Sequence, residues 1–472
     1  MSANDSTSAF HLINATDTRP VHFIGIAGAG MSGLAELLVR RGAKVQGTDS
    51  NTDGASDLTR LGITVSAHDA TLVSGARAVV YSSAIPKTHP EMIAARALGI
   101  PVVRRAEALA EAVSGGTLIA IAGTHGKTTT TVMATEALAS AGRNPTGVVG
   151  GRVGEWHGNL RLGGNDTFVV EADEYDRSFL ALTPTVAVVL NVEADHLDIY
   201  ADLADIQCAF EQFIAPARYI VRCADDEGAL LLRVGAGREV VAYSATVAGS
   251  APAMQARHAR LVAHNIMLDA SGAHFSAVFD GETLGDVTLA VPGLHNVRNA
   301  LAALASGLVL GCEFSALATG LAAFRGVERR FQRLGHARNI EVVDDYAHHP
   351  TEVAATIAAA RTAFPNQRLV VAFQPHLYSR TNDLHRGFSA ALNQADAVFL
   401  CDIYGAREQP VAGITSALIG NLLAPHKLFW SGPRANSAHA LTKFLASGDV
   451  LITMGAGDIT RTGPEVLAAL AE

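Results

Sequence analysis

The chain has 472 residues, of which 49% are hydrophobic, 6% aromatic and 17% charged, with 44 glycines and 16 prolines. This composition excludes a disordered or fibrous protein, and the length predicts two to four domains, each able to bury a core. Lys and Arg number 36 against 45 for Asp and Glu, and the net charge of −9 argues against an electrostatic grip on nucleic acid or anionic lipid, while leaving room for a small anion at a local site.

Apolar runs of strand length alternate with Ala/Leu-rich helical stretches: Val21 to Ile26, then Met31 to Arg40, then Lys44 to Gly47. Such alternation predicts α/β architecture with parallel sheets. Between the first strand and the first helix, Gly28, Gly30 and Gly33 fit GxGxxG, which lets backbone amides and a helix N-terminus approach a pyrophosphate. The second strand ends at Asp49, where a carboxylate would accept from a ribose hydroxyl. The motif does not choose among NAD, FAD and a UDP-sugar, all of which carry a pyrophosphate.

A second sheet is expected to start after the Ser114-Gly115-Gly116 break. There Thr117 to Ala122 runs into Gly123-Thr124-His125-Gly126-Lys127-Thr128 and a helix to about Ala141. The loop ends in GKT, where amides cradle phosphates, lysine reaches the β/γ oxygens and the threonine hydroxyl meets Mg²⁺. Ile121 stands where a full Walker A loop has its first glycine. Against that, the chain has only five lysines (Lys44, Lys87, Lys127, Lys427, Lys443), so one in this setting points to phosphate binding. Phe168 to Val170 leads to Glu171, with Asp173, Glu174 and Asp176 behind it, and Val186 to Leu190 leads to Asn191, Glu193, Asp195 and His196. If these strands flank the loop strand, Glu171 and His196 converge at the carboxyl edge of the sheet, where α/β proteins bind ligands.

Ala245 to Val291 reads as antiparallel strands inserted in the middle of the chain. A third α/β start follows the basic segment Arg325 to Arg333: strand Ile340 to Val343, helix Thr351 to Phe364, strand Leu369 to Phe373. Domain boundaries are therefore expected near Ser114 and Phe324. Cys208, Cys223, Cys312 and Cys401 form no CxxC pair, which predicts neither a disulfide framework nor a zinc site. The first twenty residues lack the basic start and apolar run of a signal peptide, and no apolar stretch approaches the ~20 residues that span a bilayer. The expectation is a soluble, cytoplasmic protein with no membrane or nucleic-acid partner.

Taken in order, a set of segments resembles the Mur ligases of bacterial peptidoglycan synthesis. These are His22 to Ile26 with Gly28-Ala29-Gly30-Met31-Ser32-Gly33, Gly123 to Thr130, Glu171-Ala172-Asp173-Glu174 and Glu193-Ala194-Asp195-His196. Then come His295 to Ala300, Arg329-Arg330-Phe331, Asp344 to Glu352, Gln374-Pro375-His376 and Gly455-Ala456-Gly457-Asp458. The resemblance implies three α/β domains: a Rossmann-like UDP-sugar domain over residues 1–114, a central P-loop ATPase with a parallel sheet and a small antiparallel part over 115–324, and a Rossmann-like amino-acid domain over 325–472.

It also implies residue roles. Gly28, Ala29, Gly30, Met31, Ser32, Asp49, Ser82 and Ser83 would meet the UDP-sugar. Gly123 to Thr129 would hold ATP, with Lys127 on the β/γ phosphates and Thr128, Glu171 and His196 serving Mg²⁺. His295, Asn296 and Asn299 would face the adenine, Arg330 would reach phosphate oxygens, and Asp345 would sit at the ATP ribose. Lys127, Glu171, His196 and Arg330 form the implied catalytic set. Tyr346, His348, His376 and Arg380 resemble an alanine pocket, with Leu377 where an arginine is often found.

By the same resemblance, ATP phosphorylates the lactyl carboxylate of UDP-N-acetylmuramate and L-alanine displaces the phosphate, in a monomer or homodimer. The chain has no lysine between Lys127 and Lys427, so it lacks the carbamylated lysine of some relatives, which favours the alanine-adding branch. The main alternative is a recycling ligase that attaches a preformed peptide to the same sugar. An NAD(P)-dependent dehydrogenase would explain only the first loop, and a non-catalytic nucleotide switch only the second.

Overall fold

The structure is a computed structural model and describes residues 11–14, 16–52, 55–245, 259–406 and 408–471. By its contacts the chain divides into two compact units. One takes the residues up to Tyr243 with Ala302–Gly320, the other takes Arg260–Leu301 and Leu321 onward.

The first unit opens with β1 (Val21–Ile24), α1 (Ala29–Arg40), β2 (Val45–Thr48), α2 (Ser56–Arg60), β3 (Thr64–Ser66), β4 (Ala78–Tyr81), α3 (Pro90–Ala97), β5 (Val102–Arg104) and α4 (Arg105–Ala112). The five strands form a parallel sheet ordered β3-β2-β1-β4-β5. Every residue of β1 is buried, as expected of a central parallel strand. α1 buries Leu34, Leu37 and Leu38 and ends where Gly42 takes φ +88°. There the N–H groups of Gly42 and Ala43 donate to the carbonyls of Val39 and Leu38, the paired closure that a left-handed residue after a helix permits.

A second sheet follows, from β6 (Thr117–Ala122), α5 (Lys127–Ser140), β7 (Thr146–Val153), β8 (Gly158–Arg161), β9 (Thr167–Glu171), β10 (Val186–Val189), α6 (Leu203–Ile214), β11 (Tyr219–Cys223), α7 (Glu227–Leu230) and β12 (Glu239–Ser244). Within this unit the order is β12-β11-β10-β6-β9-β7-β8, parallel except for β8. The two sheets share one hydrophobic core, running from Val21, Phe23 and Leu34 to Leu118, Val170 and Phe210. α1 packs on β7 and β8, and a Cβ on Gly33 would stand 3.4 Å from Asn159 Cβ.

The second unit begins with a meander, β13 (Leu261–Asp269), β14 (Gly272–Phe279) and β15 (Glu282–Leu289), antiparallel throughout. Its register agrees with the expected insertion; residues 246–258 of that stretch lie outside the described residues. α8 (Leu294–Leu308) and α9 (Phe314–Ala323) follow. Then come β16 (Gln332–Ala337), β17 (Ile340–Asp345), α10 (Pro350–Ala363), β18 (Leu369–Phe373), α11 (Tyr378–Leu392), β19 (Ala397–Cys401), α12 (Ala417–Gly420), β20 (Leu428–Gly432), α13 (Ser437–Phe444), β21 (Val450–Met454) and α14 (Thr462–Ala471). This third sheet is ordered β16-β17-β21-β18-β19-β20, with only β16 antiparallel. Among the described residues no helix is long and apolar enough to cross a membrane.

Candidate active site

In the first sheet, β1 lies between β2 and β4, so the loops leaving these three strands meet where the strand order reverses, the usual ligand crevice of open α/β sheets. The β1 loop turns at Gly25 (φ +78°) and is clipped to β2 by Gly25 N–H and Ile26 N–H donating to Thr48 O at 2.7 and 3.1 Å. Asp49 Oδ2 accepts from Ala27 N–H at 2.9 Å, and its Oδ1 accepts from Asn51 N–H at 3.0 Å. The carboxylate expected at a ribose thus shapes the glycine loop. Gly28 precedes α1 in extended conformation, Met31 is buried, and Gly30 and Ser32 sit in the first helical turn. The side chain of Ala29 lies outside the described residues. Ser82 and Ser83 leave β4 in a turn closed by Ile85 N–H to Ser82 O, and Ile85 lies 3.5 Å from where a Gly25 Cβ would be.

In the second sheet, β6 is flanked by β10 and β9, which brings the two acidic strand ends beside the GKT loop. Gly123 has φ +147°, and a Cβ there would come 2.9 Å from Leu190 Cβ and 3.2 Å from Asn191 N, so this position requires glycine. Asn191 braces the loop: its Oδ1 accepts from His125 N–H at 2.7 Å and its Nδ2 donates to His125 O at 3.1 Å. Thr124 Oγ1 accepts from Glu193 N–H at 3.0 Å, and His125 Nε2 lies 3.6 Å from Glu193 Oε2. Gly126 takes φ +83° as the cap of α5, whose first turn buries Thr128 and Thr129.

Lys127 Nζ donates to Gly123 O at 2.8 Å and to both oxygens of Glu174. Thr128 Oγ1 donates to both oxygens of Glu171 at 3.0 Å, and Gly150 N–H donates to Glu171 at 2.7 Å. His196, at φ +54°, points Nε2 toward Glu174 Oε1 and Asp195 Oδ2, each at 3.8 Å, with its ring edge-on to Tyr175. Glu174 is itself fixed by Tyr200, whose hydroxyl donates to its carbonyl at 2.6 Å. Thr128 and Glu171 together offer hard oxygen donors of the kind Mg²⁺ takes.

The second unit carries the remaining expected residues. On α8, buried Asn296 donates through Nδ2 to Pro292 O at 2.7 Å and accepts from Asn299 Nδ2 at 3.3 Å. Desolvation of the half-buried His295, with Arg298 and Arg330 nearby, pushes its imidazole down to about 4, against the pull of Glu352. At the end of β17, buried Asp345 accepts from Phe331 and Ala347 N–H groups, both at 2.8 Å. Burial raises its carboxyl to about 6, opposed by Arg330 and these two amides. Arg329 and Arg330 both place guanidinium carbons over the Tyr346 ring, at 4.7 and 5.2 Å, and Arg330 Nη1 lies 3.6 Å from Glu352.

Where β17, β18 and β19 end, a run of rings assembles. Tyr346 meets His348 at 5.2 Å, His348 meets His376 at 6.1 Å, and His376 stacks on Tyr404 at 5.8 Å. Buried Arg380 brings Nη1 to 3.4 Å from His376 Nδ1. Leu377 holds φ +71° just before α11, a conformation costly for a side-chain-bearing residue and typical of functional turns. Glu408 accepts from Tyr378 and Ser379 N–H groups at the helix start.

The structure therefore gathers Lys127, Thr128, Glu171 and His196 at one strand edge, and Tyr346, His348, His376 and Arg380 at another. Glu174 and Asn191 had been seen only as members of acidic or polar strand ends, without a role. Tyr200 and Tyr404 carry no motif and could be found only from the fold.

Three family models match the chain: the Mur ligase family catalytic domain over residues 20–117, the Mur ligase middle domain over 121–307, and the Mur ligase glutamate ligase domain over 329–457. The UDP-N-acetylmuramate–L-alanine ligase of Renibacterium salmoninarum is 43% identical over 470 residues, covering 97% of both chains. The enzyme of that name from Mycolicibacterium smegmatis is 44% identical, covering 95% of each. The crystal structure of a UDP-N-acetylmuramate-alanine ligase from Thermotoga maritima superposes with a TM-score of 0.79 at 28% identity, covering 96% of this chain and 99% of that one. With three domain models matched in order over two glycine loops and a run of rings at the strand ends of the third sheet, the chain belongs to the Mur ligase family.

Proposed function

We propose that this protein joins L-alanine to the lactyl carboxylate of UDP-N-acetylmuramate, converting ATP to ADP and phosphate, in peptidoglycan precursor synthesis. The observation that carries this reading is the first unit itself: two phosphate-type glycine loops on two sheets that share one core. The relatives so named match over nearly their whole length. We assign UDP-sugar binding to residues 1–114, ATP binding to 115–324 and alanine binding to 325–472, in a cytoplasmic enzyme.

A carboxylate is a poor acyl donor, so the reaction passes through an acyl phosphate. Lys127 reaches the β/γ phosphates and Arg330 supplies a second cation for the charge that develops in transfer. Thr128, Glu171 and His196 would hold Mg²⁺, which when bound would supply positive charge against the phosphates. His295, Asn296, Asn299 and Asp345 serve the adenosine. In the second unit Arg380 takes alanine's carboxylate, and the rings of Tyr346, His348 and His376 enclose its methyl and amine. The amine attacks the acyl carbon and phosphate leaves, with no side-chain nucleophile.

The test is a heavy-oxygen label on the lactyl carboxylate. An acyl phosphate route transfers one labelled oxygen to the released phosphate, whose mass then shifts. Unlabelled phosphate, with amide product still formed, would overturn this route.

A further inference from the structure

The start of α4 is fixed at two points. Glu107 Oε2 accepts from Arg104 N–H at 3.0 Å, and the Arg104 side chain donates to the Asp176 carboxylate in the loop that leaves β9. The next residue, Arg105, has no such engagement. Among the described residues its half-buried guanidinium makes no hydrogen bond and no ion pair.

Arg105 lies over the first glycine loop instead. Its Nη1 stands 2.9 Å, and its guanidinium carbon 3.3 Å, from the point a Cβ on residue 30 would occupy, and α4 packs against α1. The loop's own carboxylate, Asp49, is turned to the Ala27 and Asn51 amides and does not neutralise it. A guanidinium has five donors and no acceptor, and among the described residues none of these donors is taken up by the protein. Its planar fork matches phosphate oxygens in pairs. The same glycine also borders the N-terminus of α1, which favours anions.

We propose that Arg105 is a ligand of the nucleotide-sugar's pyrophosphate, closing over Gly30 the anion site that α1 opens. This rests on the reading of the first loop as the UDP-sugar site. It gives Gly30 a second reason to lack a side chain, since a Cβ there would displace the guanidinium as well as the ligand.

The experiment titrates the full-length protein with UDP, uridine and Mg-ATP separately, in wild type, Arg105→Gln and Arg105→Lys. Wild type is expected to bind UDP well above uridine. Arg105→Gln should lose ~10- to 100-fold in UDP affinity, as expected for a charge-assisted phosphate contact, with uridine and Mg-ATP within about two-fold. Arg105→Lys should fall between, because an ammonium keeps the charge and loses the fork. A UDP-to-uridine ratio unchanged in both variants overturns the proposal, as does equal weakening of UDP and uridine with Mg-ATP retained. Should Arg105→Gln fail to fold, the ratio in Arg105→Lys decides alone. Wild type that does not bind UDP would instead overturn the assignment of the first loop.

Discussion

Lys127 Nζ stands 3.0 and 2.9 Å from the two carboxylate oxygens of Glu174, which is buried, while the lysine is largely so. Burial alone would lower the ammonium, but Glu174, Asp173 and Glu171 outweigh it and hold Lys127 above its ordinary range. Burial raises the Glu174 carboxyl to about 7, with Lys127 as the main opposing influence. The lysine therefore stays a cation, and in the proposed role ATP phosphates would have to draw it away from a carboxylate that already satisfies it. Removing one partner of a buried pair leaves the other uncompensated. Glu174→Gln is expected to destabilise the nucleotide-free protein by roughly 3 kcal/mol, with Mg-ATP restoring more stability in the variant than in wild type. Denaturant unfolding with and without Mg-ATP measures both, and equal curves for the two proteins would contradict the pairing.

Lys127→Ala should abolish ligation, with a loss of at least ~1,000-fold in kcat, since phosphoryl transfer depends on placed cations. UDP affinity should stay within about two-fold, because the first glycine loop lies on a different sheet. Parallel loss of both would mean the two loops form one site.

Gly123→Ala places a side chain at φ +147°, 2.9 Å from Leu190 Cβ. The backbone of Asn191, just past β10, is 3.2 Å away and cannot move without disturbing the brace on His125. The expected cost is about 1 to 3 kcal/mol of stability, with a raised KM for ATP. A variant with wild-type KM and midpoint would show that the loop relaxes freely.

Arg380→Ala tests the amino-acid pocket. Loss of a charge-assisted carboxylate contact should raise the KM for L-alanine ~10- to 100-fold, leaving the KM for ATP nearly unchanged in initial-rate measurements. A uniform fall in kcat with all KM values intact would assign Arg380 to structure through its His376 neighbour.

His295 gives a pH prediction. Its imidazole titrates at 6.5 when free and at about 4 in the fold. Between these values the unfolded chain binds more protons than the native one, so stability rises with pH across the window and is lost as pH falls from 6.5 toward 4. The full shift corresponds to roughly 3 kcal/mol at most. Asp345 acts in the opposite sense, its raised carboxyl costing stability as pH climbs from 3.8 to about 6. The His295→Gln minus wild-type difference isolates the histidine: the variant should lose less stability between about pH 6.5 and 4. An unchanged slope would contradict the lowered titration of His295.

Much of this was legible because the loops are local. Val21 to Ile24, Gly28 to Gly33, and Gly123 to Thr128 each declare a strand, a turn and a helix within one short window. Strand order was not legible: that β9 and β10 flank β6, and so bring Glu171 and His196 to the GKT loop, depends on pairing between segments some 50 to 70 residues apart. Nor was the use of polar groups. Asp49 bonds to the Ala27 amide and Asp345 to those of Phe331 and Ala347 because a buried or loop-closing carboxylate takes the nearest orphan N–H, which no spacing rule reveals. Arg105 escaped notice for the same reason, since its meaning lies in its proximity to Gly30.

The most direct test of the account is phosphate release from ATP with UDP-N-acetylmuramate and Mg²⁺, in the presence of free L-alanine, of an L-alanyl-peptide, or of neither. The account predicts release that depends on free L-alanine. Release with the peptide alone would contradict it in favour of the recycling reaction, and silence in every arm would contradict the substrate assignment.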